Sequence, residues 1–365
     1  MSITALVLLA IGLALLVAGA EILVKGASRI ATTLGLSPLV IGLTIVAYGT
    51  SAPEMAVSIQ ASLNGQADIS LGNVVGSNIF NVLLILGLSA VVTPLIVAKQ
   101  LVRLDVPIMV GVSALLLMFG MDGTISRVDG IILAIGSVIY TVFLIYQGRE
   151  EEVEEDLEES SKPAIQRWLT NIGFIGGGLA LLVLGSHWLV SGAIAIARAI
   201  GLSELVIGLT IIAAGTSLPE LATSIVASMR GKRDIAVGNV VGSNIFNILA
   251  VLGFSAIVSP DGVTVAAAAI RFDIPVMVTV AIACLPIFFS GNIITRWEGF
   301  LLLAYYAAYT AYLVLASTNH DALPIFSWVL GVFVVPITVL TLGLITARTL
   351  YHRRLAKASS PSPEE

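Results

Sequence analysis

The chain has 365 residues, 57% hydrophobic and 11% charged, with a mean hydropathy of +1.02 and a net charge of −5. Soluble domains carry about 25% charged residues, so composition excludes an ordinary soluble protein and indicates a membrane protein. The single cysteine, Cys284, excludes an internal disulfide and a cysteine metal cluster, and no stretch reads as a nucleic-acid module.

A spanning helix needs about 20 apolar residues. Eleven segments qualify: roughly 3–24, 38–63, 69–92, 105–120, 127–147, 169–197, 204–229, 235–258, 271–290, 297–316 and 325–347. "AGA" at Ala18 to Ala20 suits a signal-peptide cleavage site. Its n-region lacks positive charge and a later segment matches it, so the first segment reads as a helix. Of the 18 basic residues, alternation of spans puts fifteen on one side and three (Arg127, Arg198 and Arg271) on the other. The amino terminus is then expected outside and the carboxyl terminus in the cytoplasm.

In chain order, the first helix carries Glu21, four residues before Lys25, which spacing makes its expected partner. The second contains "GTSAPE", Gly49 to Glu54, and the third "GNVVGSNIFN", Gly72 to Asn81. "RLDVPIMV" opens the fourth with Asp105 as expected N-cap, and "SRVDGIIL" opens the fifth. The run "REEEVEEDLEESSK" then reads as a solvated cytoplasmic linker without the spaced Asp/Gly pattern of a calcium loop. The sixth helix holds a lone His187, read as near a helix start. "GTSLPE", Gly215 to Glu220, falls in the seventh and a second "GNVVGSNIFN", Gly238 to Asn247, in the eighth. The ninth begins at "RFDIPVMV", with Asp273 as expected N-cap, and the tenth at "TRWEGFLL".

A shift of 166 overlays the chain on itself: over Leu39 to Gly87, 34 of 49 positions are identical. Each repeat holds five helices, an odd number, so the two halves are expected to enter the membrane from opposite sides. The expected fold is all-α, two inverted five-helix repeats (ten core helices) plus one extra C-terminal helix. The units are 1–147 and 167–316, joined by the linker 148–166 and followed by 317–365, the extra helix and a basic tail.

"GTSAPE" at first sight is one helix stopping and another starting: Ser51-x-x-Glu54 has capping-box spacing, and Pro53 sits where its missing N–H costs little. At mid-membrane, free backbone groups and a carboxylate each cost several kcal/mol unless buried in protein or lining a polar cavity. Inversion would bring Glu54 and Glu220 to matching depths, a place for a cation. Asn73, Ser77 and Asn81 share one helix face, as do Asn239, Ser243 and Asn247, while Gly72, Gly76, Gly238 and Gly242 suit close packing. Oxygens and amides, without histidine or thiol, suit Ca²⁺ and Na⁺ better than Zn²⁺, Cu⁺ or Fe²⁺. Carbonyls at Thr50 and Thr216 and the hydroxyls of Ser51, Ser77, Ser217 and Ser243 extend the oxygen set.

These motifs resemble the two alpha repeats of the cation/calcium exchanger superfamily, specifically its sodium/calcium exchangers of prokaryotic type, over Met1 to about Ala316. The resemblance implies ten core helices and four central cation sites. It implies that Glu54 and Glu220 ligate Ca²⁺ with the Thr50 and Thr216 carbonyls. Ser51, Ser77, Ser217, Ser243, Asn81 and the Ala47 and Ala213 carbonyls would complete the sodium sites. At Asn247 some relatives, potassium-dependent exchangers among them, carry Asp, which argues against potassium coupling here. The calcium/proton branch has "GNxxE" where this chain has "GTSxPE", and the eleventh helix departs from the ten-helix pattern. The expectation is an electrogenic Na⁺/Ca²⁺ antiporter working by alternating access in the cell membrane. It is not an enzyme, has no cofactor, and takes Ca²⁺ and Na⁺ as substrates with no obligate protein partner. A proton-coupled exchanger of the same fold and a gated cation channel are the alternatives left open.

Overall fold

The computed structural model describes residues 3–148, 164–200, 207, 211, 213–289, 291–318, 320–336, 338–340 and 343. The acidic run, most of the first half of the expected seventh helix and the basic tail lie outside the described residues.

The described chain is helical. It runs through α1 (Ile3–Leu34), α2 (Pro38–Thr50), α3 (Ala52–Leu63), α4 (Ala67–Val92), α5 (Leu101–Gly120) and α6 (Arg127–Gln147). It continues through α7 (Ala164–Ala199), a turn at Ala213–Gly215, α8 (Leu218–Met229), α9 (Arg233–Val258), α10 (Ala269–Phe289), α11 (Arg296–Ser317) and α12 (Leu323–Val332). Among the described residues, eight helices are long and apolar enough to cross a membrane, or nine if the α2–α3 pair, bent by 45°, is one span. That is fewer than the eleven expected, because one expected span begins outside the described residues and the last is only partly described.

Burial identifies the centre. The most apolar stretches of α4 and α9 are 78% and 89% buried, against 28% and 22% for α1 and α7 and 11% for α11. Thus the two helices carrying "GNVVGSNIFN" form the core, and the others shield them from lipid. Both turn from α to π geometry at the last asparagine of that motif, over Asn81–Leu86 and Asn247–Leu252. Such single-turn π segments are rare and frequent at functional sites. Glycine lets α9 approach α2: a Cβ on Gly242 would lie 2.6 Å from Leu43 O, and one on Gly238 3.0 Å from Leu39 O.

A second seam joins α1 to α7. Gly12 faces Gly185, Gly19 faces Gly178, and Gly192 faces Ala5, with built Cβ atoms 2.7–2.8 Å from the opposing carbonyl oxygens of Gly185, Gly178 and Ala5. The contact order runs backwards along one helix, so the two are antiparallel. Two short antiparallel strand pairs add links: β1 (Leu95–Ile96) with β4 (Ile293–Ile294), and β2 (Thr124–Ile125) with β3 (Val263–Thr264). Sharp returns after α3 and α8 use Gly65 at φ 75° and Gly231 at φ 74°, where Gln66 N–H and Lys232 N–H close onto Ala61 O and Ala227 O. A left-handed residue there is what this helix-ending pattern requires.

Several local expectations change. Glu21 does not take its neighbour one turn on as partner: it pairs with Arg230, while Lys25 Nζ lies 5.5 Å from the Phe174 ring centroid. Asp105 and Asp273 cap nothing. They end π segments, Leu101–Asp105 and Ala269–Asp273, and accept from Tyr140 Oη at 2.9 Å and Tyr309 Oη at 3.1 Å. A buried carboxylate finds its donor across helices here, since its backbone is already helical (Asp105 φ −71°, ψ −40°). His187 lies well within α7 rather than near its start, and it is exposed.

Candidate functional site

The motif "GTSAPE" breaks its helix at Ser51. Pro53 has no N–H to give the carbonyl four residues earlier, and the chain bends between α2 and α3. The same break at Ser217 precedes α8. There the Gly215 carbonyl, deprived of a donor by Pro219, accepts from Ser186 Oγ at 2.6 Å.

The capping-box reading of these breaks is corrected. Neither Ser51 (φ −81°, ψ 6°) nor Ser217 (φ −90°, ψ 8°) makes a side-chain cap. The capping boxes form at Ser126/Asp129 and Thr295/Glu298, whose N-cap residues have the extended backbone that the motif needs. Each break serine instead reaches the other repeat. Ser51 Oγ donates to Glu220 Oε1 at 3.0 Å, and Ser217 Oγ donates to Glu54 Oε1 at 2.9 Å while lying 3.0 Å from Ser77 Oγ. A carboxylate is a stronger acceptor than a neutral partner, and buried bonds of this type are the strong ones.

The exchange extends outwards with the same symmetry. Thr50 Oγ1 donates to Asn239 Oδ1 at 3.1 Å, and Thr216 Oγ1 to Asn73 Oδ1 at 3.3 Å. Asn73 Nδ2 in turn donates to Glu54 O at 3.2 Å and Ser58 Oγ at 2.9 Å; Asn239 Nδ2 does the same to Glu220 O at 3.4 Å and Ser224 Oγ at 3.0 Å. Asn73 and Asn239 therefore spend their polar atoms holding the two breaks against α4 and α9. The Ala47 carbonyl accepts from Ser51 N–H at 3.0 Å, and Ala213 heads the turn before Ser217.

Glu54, Glu220, Ser51, Ser217, Thr50, Ser77, Ser243, Asn81 and Asn247 are all buried. Within this group Glu54 Oε2, Glu220 Oε2, Asn81 Oδ1, Asn247 Oδ1 and Ser243 Oγ make no hydrogen bond. Buried polar atoms normally find partners, so five unbonded oxygens in one set call for a ligand that accepts lone pairs. An all-oxygen set with two carboxylates fits a hard cation. Among the described residues no three His, Cys, Asp or Glu side chains gather, so acidic charge at the cluster comes from Glu54 and Glu220, and the rest of the set is neutral.

Sequence reasoning missed Asn78 and Asn244. Both are buried and link the two motif helices: Asn78 Nδ2 donates to Asn244 O at 3.0 Å and Asn244 Nδ2 to Asn78 O at 3.3 Å. The signal lay in the repeated decapeptide itself, off the i, i+4, i+8 stripe that singled out its neighbours.

Comparison with known proteins follows the same lines. The family model described as "Sodium/calcium exchanger protein" matches residues 4–146 and 170–315. The inner membrane protein YrbG of Escherichia coli is 40% identical over 283 residues, covering 76% of this chain and 87% of that protein. The sodium/calcium exchanger MaX1 of Methanosarcina acetivorans is 34% identical, covering 83% and 96%. Among solved structures, the sodium-calcium exchanger NCX_Mj, soaked with zero Na⁺ and Ca²⁺, superposes with a TM-score of 0.73 at 33% identity, covering 86% of this chain and 100% of that one. In fold, motifs and sequence, this integral multi-pass membrane protein belongs to the sodium/calcium exchanger protein family.

Proposed function

We propose that the protein exchanges Na⁺ for Ca²⁺ by alternating access, with both ions bound at the cluster between the two breaks. One observation carries this reading: each break serine bonds the other repeat's glutamate, so both carboxylates share one buried site. The names of MaX1 and NCX_Mj, sodium/calcium exchangers both, support the couple. Glu54 and Glu220, with the Thr50 and Thr216 carbonyls, are the Ca²⁺ ligands. Ser51, Ser77, Ser217, Ser243, Asn81, Asn247 and the Ala47 and Ala213 carbonyls supply the Na⁺ sites. Two ionised carboxylates hold −2, which one Ca²⁺ neutralises and two or three Na⁺ replace.

The topology proposed is ten core helices in two inverted repeats, 1–147 and 167–316, joined by the cytoplasmic linker 148–166. The segment 317–365 adds an eleventh helix and a cytoplasmic tail. Two features support inversion: α1 and α7, counterparts under the 166-residue shift, pack antiparallel, and β1 pairs with β4 rather than with its counterpart β3. The extracellular amino terminus rests on the positive-inside count. A cysteine placed at Asn64 should label from outside and one at Arg230 from inside; the same side for both sinks inversion.

The functional test is ⁴⁵Ca²⁺ uptake into proteoliposomes against an outward sodium gradient. Uptake that collapses when the gradient is dissipated supports the reading. Uptake driven by a proton gradient alone, or calcium passage with no counter-ion, refutes it.

A further inference from the structure

Four asparagines, two from each repeat, form one buried network beside the carboxylates. Asn81 Nδ2 donates to Asn244 Oδ1 at 3.0 Å, and Asn247 Nδ2 donates to Asn78 Oδ1 at 3.1 Å. Asn78 Nδ2 donates to Asn244 O at 3.0 Å and faces Met277 Sδ at 3.7 Å; Asn244 Nδ2 donates to Asn78 O at 3.3 Å and faces Met109 Sδ at 3.6 Å. All four residues are at most 2% exposed.

The polarity of this network is fixed from its inner members. A backbone carbonyl and a thioether can only accept. The Asn78 amide group that faces Asn244 O and Met277 Sδ must therefore be its NH₂, which turns its Oδ1 towards Asn247. That oxygen requires a donor, so Asn247 presents its NH₂ to Asn78 and leaves its own Oδ1 pointing away, without a hydrogen bond. The mirror chain, from Asn244 to Asn81, leaves Asn81 Oδ1 in the same condition. A flipped Asn247 would set two carbonyl oxygens about 3.1 Å apart in a buried place and turn an amide N–H towards any cation.

We infer that Asn78 and Asn244 are positioning residues that orient the Asn247 and Asn81 amides so that their carbonyl oxygens face the transported cations. The inference rests on the proposed role of Asn81 and Asn247 as cation ligands. Orientation crosses between repeats: the residue that sets Asn247 belongs to the first motif, and the one that sets Asn81 to the second.

A double-mutant cycle on the full chain in proteoliposomes tests it, reading the calcium KM separately from maximal flux. Asn78→Ala should raise the calcium KM about tenfold, with a smaller change in maximal flux. A carboxylate offers oxygen in either orientation, so in an Asn247→Asp background the same Asn78→Ala change should leave KM unchanged or lower it. Equal KM penalties in both backgrounds would mean simple additivity of a structural defect and would overturn the inference. Asn247→Ala measured alongside separates the two readings. If it leaves calcium exchange at the normal level, Asn247 is no ligand, and the ligand assignment fails with the inference. If it impairs exchange while the cycle is additive, only the inference fails. Asn244→Ala with and without Asn81→Asp is the mirror cycle, and it decides the matter if Asn78→Ala does not yield folded protein.

Discussion

Replacing Glu54 with Gln keeps the shape of the side chain and removes one of the two charges at the cluster. On the proposed reading the amide cannot substitute. One carboxylate oxygen is held by Ser217 Oγ at 2.9 Å and the other is unbonded. If the Gln oxygen keeps the serine bond, its NH₂ occupies the unbonded position and points donors at the cation. If the amide turns over, one neutral oxygen faces the cation in place of a carboxylate. Removing one partner from a buried charge pair costs roughly 3–5 kcal/mol. At about 1.4 kcal/mol per decade, calcium affinity should fall by roughly two to four orders of magnitude. Sodium-driven ⁴⁵Ca²⁺ uptake should therefore vanish at ordinary calcium concentrations, while the protein still elutes as a monodisperse species in detergent. Glu220, held by Ser51 Oγ at 3.0 Å with its own Oε2 unbonded, should respond alike. Near-normal uptake by both Glu54→Gln and Glu220→Gln would refute the cluster as the transport site.

Ser51→Ala and Ser217→Ala each delete a hydrogen bond to a buried carboxylate, worth about 1.5–3 kcal/mol, so apparent cation affinity in the same uptake assay should drop roughly 10- to 150-fold. Unchanged affinity in either variant would show that the cross-repeat bond does not shape the site. Gly185→Val would drive a side chain into Gly12 O and Leu16 N, each 2.8 Å from a built Cβ, and should destabilise the fold by about 1–3 kcal/mol. The readout is a lower thermal unfolding midpoint in detergent, and an unchanged midpoint contradicts the close seam. Exchange of three Na⁺ for one Ca²⁺ at a −2 site would move one net charge, so imposed potentials of opposite sign should change sodium-driven calcium flux in opposite senses, at roughly 2.3 kcal/mol per 100 mV. Voltage-insensitive flux, or an absolute potassium requirement at fixed voltage, would show that the neutral Asn247 has been misread.

The repeat and its motifs were legible because identity at fixed spacing is a covalent fact, and the helices because runs of apolar residues are. Partners were less legible. Ser51-x-x-Glu54 has the spacing of a local capping box, yet the Ser51 backbone (φ −81°, ψ 6°) is not the extended one a cap needs, and its hydroxyl donates to Glu220, far along the chain. Glu21 has Lys25 one turn away and pairs instead with Arg230, a residue that only the tertiary packing brings within reach. Asp105 and Asp273 precede apolar stretches as N-caps do, but tyrosines on α6 and α11 capture them. Local spacing ranks only neighbours in sequence, whereas a low-dielectric interior ranks every donor within reach.

Identity between the repeats also separates what must be symmetric from what need not be. Every residue of the asparagine network and both break serines is the same in the two motifs, and their cross-repeat bonds to asparagine and glutamate occur in reciprocal pairs, although the Ser217–Ser77 bond has no counterpart at Ser243. Away from the site the sequence symmetry lapses as well. Ser186, which holds the Gly215 carbonyl, corresponds to Ala20, which has no hydroxyl to offer Gly49. Glu21 and Arg230 form an ion pair at one end of the bundle; the corresponding positions at the other end are His187 and Asn64, which cannot form an equivalent carboxylate–guanidinium link. An exposed pair of this kind contributes about 0–1 kcal/mol. That is small against folding stability, yet comparable to the difference that biases a two-state equilibrium several-fold. A carrier built from two equal halves has no intrinsic preference for facing either side, so any such preference must come from positions where the halves differ. The cluster proposed to bind the ions is, in its side chains, not among them.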